Sequence, residues 1–260
     1  MVHNIIDIYS AQDSLVHRID PRTKILAVLA FILAVVTTPP TQWLGFLLFF
    51  AVISSVIMLS RVPVVHILKR SLVIFPFVIL ITLFVPFIQK GEMAGSYNVW
   101  QWEISIWHGG IIIVWNVVVK AWLSILSVIM LSSTTEFTSI LKGLERLGTP
   151  KVMVMLISFM YRYIFTILNE ALRMQRAREC RDFGDKRLVQ VKAVGNIIGA
   201  LFIRSYERGE RIYTAMLARG FDGGFRTLDQ LRFSSLDALF GLSFLLVVAA
   251  IRVSASFIWG

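Results

Sequence analysis

The feature that most constrains this chain is a series of apolar runs close to the thickness of a lipid bilayer. No charged residue occurs from Trp43 to Leu59 or from Leu72 to Ile88, and Lys120 is the single charge from Ile111 to Leu131. Roughly 20 predominantly apolar residues let a helix cross the hydrocarbon. A soluble core cannot absorb these runs, because only 16% of the residues are charged, whereas soluble domains average about 25%. The expected fold class is all-α, a polytopic membrane protein with about five transmembrane helices and a segment of coupling helices.

Five runs are read as spans. Ile25 to Thr38 is short and closed by Pro39-Pro40, and Trp43 to Leu59 follows after an uncharged turn, which predicts a helical hairpin. Leu72 to Ile88 carries Pro76 and Pro86, tolerable where neighbouring helices re-satisfy freed carbonyls. Ile111 to Leu131 is the fourth span and Ser235 to Ile251 the last. Between spans three and four, Gln89 to Gly109 holds Trp100, Trp102 and Trp107, as an interfacial aromatic belt does. Val152 to Leu168 is also apolar, but Arg162 lies near its middle, so it is read as an amphipathic helix on the membrane or under the bundle.

Basic residues orient the spans. Arg18, Arg22 and Lys24 precede the first, and Arg61, Lys69 and Arg70 follow the second, whereas the intervening turn is free of Lys and Arg. Positive loops stay cytoplasmic, which places the N-terminus inside and the C-terminus outside. This gives three regions: 1–131 with four spans, 132–233 as cytoplasmic helices, and 234–260 with the last span. The net charge of +10 belongs to this pattern and to anionic lipid rather than to nucleic acid, because the excess sits beside the apolar runs. Cys180 is the single cysteine, so an internal disulfide is excluded. Asp7, Asp13 and Asp20 precede any apolar run, unlike a signal peptide.

From Ser132 to Arg232 there are 17 Lys and Arg against 10 Asp and Glu, and no proline follows Pro150. Val194, Ile197, Ile198, Leu201 and Phe202 recur at helical spacing. Arg204, Arg208 and Arg211 share a face, and Gly195 and Gly199 form a small-residue step that lets a helix approach closely. Two helix ends look alike: Ala177-Arg178-Glu179, with Gly184 beyond it, and Ala218-Arg219-Gly220. Gly184 and Gly220 suit a left-handed helix stop, and an arginine before the stop complements the negative end of the helix dipole.

These phrases carry a resemblance. Asp20-Pro21-Arg22-Thr23-Lys24, Ser132-Ser133-Thr134-Thr135, Met160-Tyr161-Arg162-Tyr163-Ile164-Phe165, Glu170-Ala171-Leu172-Arg173-Met174 and Ala215-Met216-Leu217-Ala218-Arg219-Gly220-Phe221-Asp222-Gly223 together resemble the T component of energy-coupling-factor (ECF) transporters, closest to the cobalt-type CbiQ branch. The resemblance implies a non-catalytic scaffold in the cell inner membrane. It links two ABC-type ATPase subunits to a substrate-binding membrane subunit, and uses no cofactor of its own. It further implies that Arg178 and Arg219, with Ala177, Ala218 and Gly220, grip the ATPases. The first motif departs from the family's Ala-Arg-Gly, with Glu179 in place of glycine. Cobalt is the substrate this branch implies, with nickel or a vitamin as alternatives.

Physical chemistry supplies a reason for arginine there: its planar, permanently charged fork matches carboxylates bidentately. Capping of the helix and lipid phosphate binding are the plainer roles for the same residues. Lys120, mid-span, is costly to bury and is read either as a contact to a partner in the membrane or as a snorkelling residue. His17, His66 and His108 show no metal-ligand spacing, and the chain has no P-loop. A membrane enzyme acting on lipid-linked substrates is the reading from a different class. It would have to use Asp182, Asp185, Asp222 and Asp229, which lie beyond helix ends rather than on one face.

Overall fold

The computed structural model describes residues 14–40, 42–60, 62–82, 93–99, 102–181, 187–221 and 234–259. Asp20 caps the first long helix by accepting from Arg22 N at 2.9 Å, and Pro21 occupies the first helical position, where its missing N–H costs nothing. After the short α1 (Leu15–Arg18) come α2 (Pro21–Thr37), α3 (Trp43–Ser60) and α4 (Val64–Thr82). An antiparallel hairpin of β1 (Met93–Val99) and β2 (Trp102–Trp107) precedes α5 (His108–Thr134). The chain continues as α6 (Phe137–Arg146), α7 (Lys151–Glu179), α8 (Arg187–Ala218) and α9 (Ser235–Trp259). Helix dominates, as the all-α reading expects. The hairpin falls in the segment read as an aromatic belt, where short-range strand pairing gave no signal strong enough to displace the tryptophan pattern.

Two compact units emerge, with the boundary inside α6 between Gly143 and Leu144. The first gathers α1 to α5 with α9. Its core is a column of Phe31 and Val35 from α2, Phe49 and Ile53 from α3, Leu123 and Leu126 from α5, and Val248 from α9. Phe31 meets Phe49 edge to face, with ring centres 5.7 Å apart, a favoured quadrupole geometry. Around this column the large apolar side chains point outward: Leu47 is 67% exposed, Leu72 72% and Met58 79%. A water-facing surface of that kind would aggregate, whereas a lipid-facing one is satisfied.

Small residues set the tightest packing. A Cβ on Gly241 of α9 would lie 2.7 Å from Thr23 Cγ2 of α2, and one on Gly143 of α6 would lie 3.0 Å from Ile25 Cδ1. The last helix starts at a capping box: the Asp237 carboxylate accepts from Ser234 N at 2.8 Å while Ser234 Oγ accepts from Leu236 N at 3.4 Å.

The second unit holds α7 and α8, which pack together and share an ion pair between Glu170 and Arg204. Among the described residues, α3, α5 (from Ile112), α7 and α9 (to Ser254) are long and apolar enough to cross a membrane by length and composition. This places α7 among the candidates, although Arg162 led the sequence reading to treat Val152 to Leu168 as an amphipathic helix. Arg162 is exposed and is the single charge from Val152 to Leu168, so length and composition admit a span here without requiring one. The helix start expected at Leu72 also moves, to Val64. Lys69 and Arg70 lie inside α4, because two charges interrupt an apolar run without interrupting backbone hydrogen bonding. Pro86, like the rest of 83–92, lies outside the described residues.

Candidate functional site

Three sites concentrate polar chemistry, and the two helix ends come first. At the end of α8 the chain closes a Schellman stop. Gly220 adopts φ +77°, Phe221 N donates to Met216 O at 3.1 Å, and Gly220 N donates to Leu217 O at 3.0 Å. Arg219 stands at this stop, exposed like Ala218 and Gly220. The other end differs. Cys180 closes α7 in a right-handed conformation, with its N–H on Arg176 O at 3.0 Å. Glu179, standing where the motif has glycine, accepts from Gln175 Nε2 at 3.0 Å. Arg178 is half-buried and Ala177 exposed. Among the described residues no ion pair engages Arg178 or Arg219. Gly184 and the four aspartates of the enzyme reading, Asp182, Asp185, Asp222 and Asp229, lie outside the described residues, as do Arg61, Trp100 and Gly223.

The small-residue step on α8 is open: a Cβ on Gly195 or Gly199 would meet nothing within 4 Å. Around it Val191, Ile198 and Phe202 are 69%, 62% and 72% exposed. On α7 the exposed apolar residues Val152, Leu156, Met160, Ile164 and Leu168 recur every four positions. Both helices of this unit therefore carry apolar surface that no helix of the unit covers.

Lys120 has a definite partner. Its Nζ donates to Val36 O at 2.9 Å, and Arg252 Nη2 donates to Thr37 O at 2.9 Å. A helix leaves its last four carbonyls unsatisfied. In α2, Ala34 O accepts from Thr38 Oγ1 at 2.7 Å and Val35 O from Thr38 N at 3.4 Å, so the two cations complete the set. They also sit at the negative end of the helix dipole. The sequence reading weighed Lys120 between partner contact and snorkelling and did not single out Arg252. The pairing of Lys120 with a carbonyl 84 positions away, and of Arg252 with one 215 positions away, leaves no local signal.

The third site unites two phrases of the resemblance with the last helix. Lys24 Nζ donates to Thr134 O at 3.0 Å, Thr135 Oγ1 at 3.2 Å and His17 O at 3.2 Å. Asp20 N donates to Asp237 Oδ1 at 3.0 Å. All of Asp20, Lys24, Thr134, Thr135 and Asp237 are buried. Burial lowers Lys24, which precedes the apolar run of α2, from 10.5 to about 8, with Asp237 and Asp20 opposing the shift. The arrangement ties α2, α5 and α9 together at one end of their bundle.

The chain matches the CbiQ family, described as cobalt transport protein, over residues 12–230. An ECF transporter transmembrane protein EcfT from Acidaminococcus fermentans is 31% identical, covering 97% of this chain and 96% of its own length. The EcfT protein of Listeria innocua is also 31% identical, over 92% of this chain and 97% of its own. An uncharacterized protein of Methanocaldococcus jannaschii shares 28% identity over 94% of this chain and 84% of its own. Helices of membrane-crossing length, a Schellman-capped Ala-Arg-Gly end and similarity over nearly the whole chain converge: this is a membrane protein of the CbiQ family, of the ECF transporter T-component type.

Proposed function

We propose that this chain is the non-catalytic energy-coupling subunit of an ATP-driven importer in the cell inner membrane, with Co²⁺ as its most favoured substrate. Arg178 and Arg219, on Ala177-Arg178 and Ala218-Arg219-Gly220, each dock one ABC-type ATPase subunit. The N-terminus and the helices of 132–233 face the cytoplasm, and the basic surface there meets anionic lipid. A separate substrate-binding membrane subunit covers the open apolar faces of α7 and α8, and supplies the ligands for the transported ion.

The observation that carries this reading is the state of Arg219: exposed, unengaged by any ion pair among the described residues, and held at a rigid helix stop. An arginine used only for capping would turn back on the carbonyls of its own helix. Here backbone N–H groups already serve Met216 and Leu217, leaving the guanidinium for a carboxylate on a partner. Each charge-assisted hydrogen bond made there contributes about 1.5–3 kcal/mol.

Mutation of the two arginines tests the reading. Arg219→Ala lowers uptake and partner-stimulated ATP hydrolysis more than Arg219→Lys, because lysine keeps the charge but loses the fork. The double change with Arg178→Ala releases the ATPase subunits from membranes while the chain itself still inserts. Retention of the ATPases by the double variant, with uptake intact, would return both arginines to a capping role.

A further inference from the structure

A cavity of about 660 Å³ lies between α3, α4 and α5 and has no place in the coupling reading. The volume falls in the range of about 300–1,000 Å³ typical of small-molecule sites. Its wall is aromatic and aliphatic, with Trp43 and Phe50 from α3, Phe75 from α4 and Trp122 from α5. Two polar side chains interrupt it. Ser71 is satisfied, its hydroxyl donating to Leu68 O at 3.0 Å. Asn116 is not: it is 6% exposed, it lines the cavity, and among the described residues its amide has no hydrogen-bond partner. Its amide atoms are not sealed off but open into the cavity, where an occupant carrying an acceptor can take their hydrogen bond. The mouth faces sideways, where Leu72 and Trp115 are 72% and 60% exposed, on the surface that membrane helices turn toward lipid.

Depth narrows the ligand. Asn116 follows Ile111, the start of the apolar run of α5, by five residues, about 7.5 Å along the axis. Helical side chains lean toward the N-terminus, which brings the amide back toward the edge of the hydrocarbon. Trp43 and Trp115, both on the cavity wall near the starts of their helices, mark the same level, where tryptophan concentrates in membrane proteins. A glycerolipid presents its ester carbonyls at that edge, with an acyl chain continuing inward. We propose that the cavity holds one acyl chain of a diester glycerolipid, with the Asn116 amide donating to the ester carbonyl.

Competition between two lipids tests this. The full chain is released from micelles containing equal amounts of a diester phosphatidylglycerol and the diether with the same chains and headgroup, and retained lipid is read by native mass spectrometry. The wild type retains the diester in about fivefold or greater excess, the value of one net hydrogen bond. Asn116→Leu abolishes that preference, and Leu72→Trp, which fills the mouth and leaves Asn116 in place, lowers retention of both lipids. Equal retention of diester and diether by the wild type overturns the proposal, as does a Leu72→Trp variant that keeps both lipids. A wild type that retains neither lipid, with Asn116→Leu weakening association with a partner membrane subunit, reassigns the groove to a transmembrane helix.

Discussion

Replacing Lys24 by methionine probes the buried junction of α2, α5 and α9 most directly. The change keeps the length of the side chain and removes three hydrogen bonds, to Thr134 O, Thr135 Oγ1 and His17 O. At about 1.5–3 kcal/mol for each bond to a charged group, the gross loss is roughly 4.5–9 kcal/mol. Opposing it is relief from burying the ammonium. The fall from 10.5 to about 8 corresponds to ~3 kcal/mol. Lys24→Met therefore lowers stability near neutral pH by about 2–6 kcal/mol. The pH dependence has a definite sign. Between pH 8 and 10.5 the unfolded chain holds the proton on Lys24 and the folded chain releases it, so stability rises with pH across that window. Below pH 8 both states are protonated and the contribution is flat. Unfolding in detergent, followed by circular dichroism for the wild type and Lys24→Met, isolates the term, because other titrations cancel in the difference. The wild type should gain up to ~3 kcal/mol between pH 8 and 10.5 relative to the variant. Parallel profiles across that window would refute the reasoning.

Two further substitutions test contacts to α2. Gly241→Ala brings a Cβ within 2.7 Å of Thr23 Cγ2 and should destabilise the bundle by about 1–3 kcal/mol; Thr23→Ser removes the obstructing methyl and should restore most of the loss in a double variant, measured by the same unfolding assay. Lys120→Leu strips Val36 O of its donor and should cost about 1–2 kcal/mol in the isolated chain. Lys120→Arg should recover it. Unchanged stability of Lys120→Leu together with weaker assembly would place the residue at a partner interface instead.

Sequence carried the parts of this molecule that depend on local composition. Apolar runs exposed α3, α5 and α9, since lipid-facing helices need no amphipathic pattern to announce themselves. Gly220 was legible because a helix stop needs a residue at positive φ, and φ +77° is what the chain adopts there. Long-range polar pairing was not legible. Asp20-Pro21-Arg22-Thr23-Lys24 and Ser132-Ser133-Thr134-Thr135 entered only as phrases of a resemblance. That Lys24 donates to Thr134 O, 110 positions away, follows from the packing of α2 on α5 and has no periodicity to betray it. Asn116 escaped for a related reason: a single amide in an apolar run gains meaning only once a cavity is seen beside it.

The two ends of α2 share one design. At its start, Lys24 reaches the terminal carbonyl of α5 at Thr134, and Asp20 N meets Asp237 at the start of α9. At its finish, α5 and α9 reach back, with Lys120 on Val36 O and Arg252 on Thr37 O. Between these ends the contacts are apolar, with Phe31 and Val35 nearly or wholly buried against the other helices. Apolar packing in lipid has little directional preference, because hydrocarbon solvates the same side chains as well as a neighbouring helix does. Polar ties at both ends therefore fix what the middle leaves loose, namely the register of α2 along α5 and α9. A helix pinned at both ends cannot slide by a turn without breaking both sets of bonds. The three helices are thereby held in register at both ends of α2, which is what the coupling role proposed above would require of the membrane part.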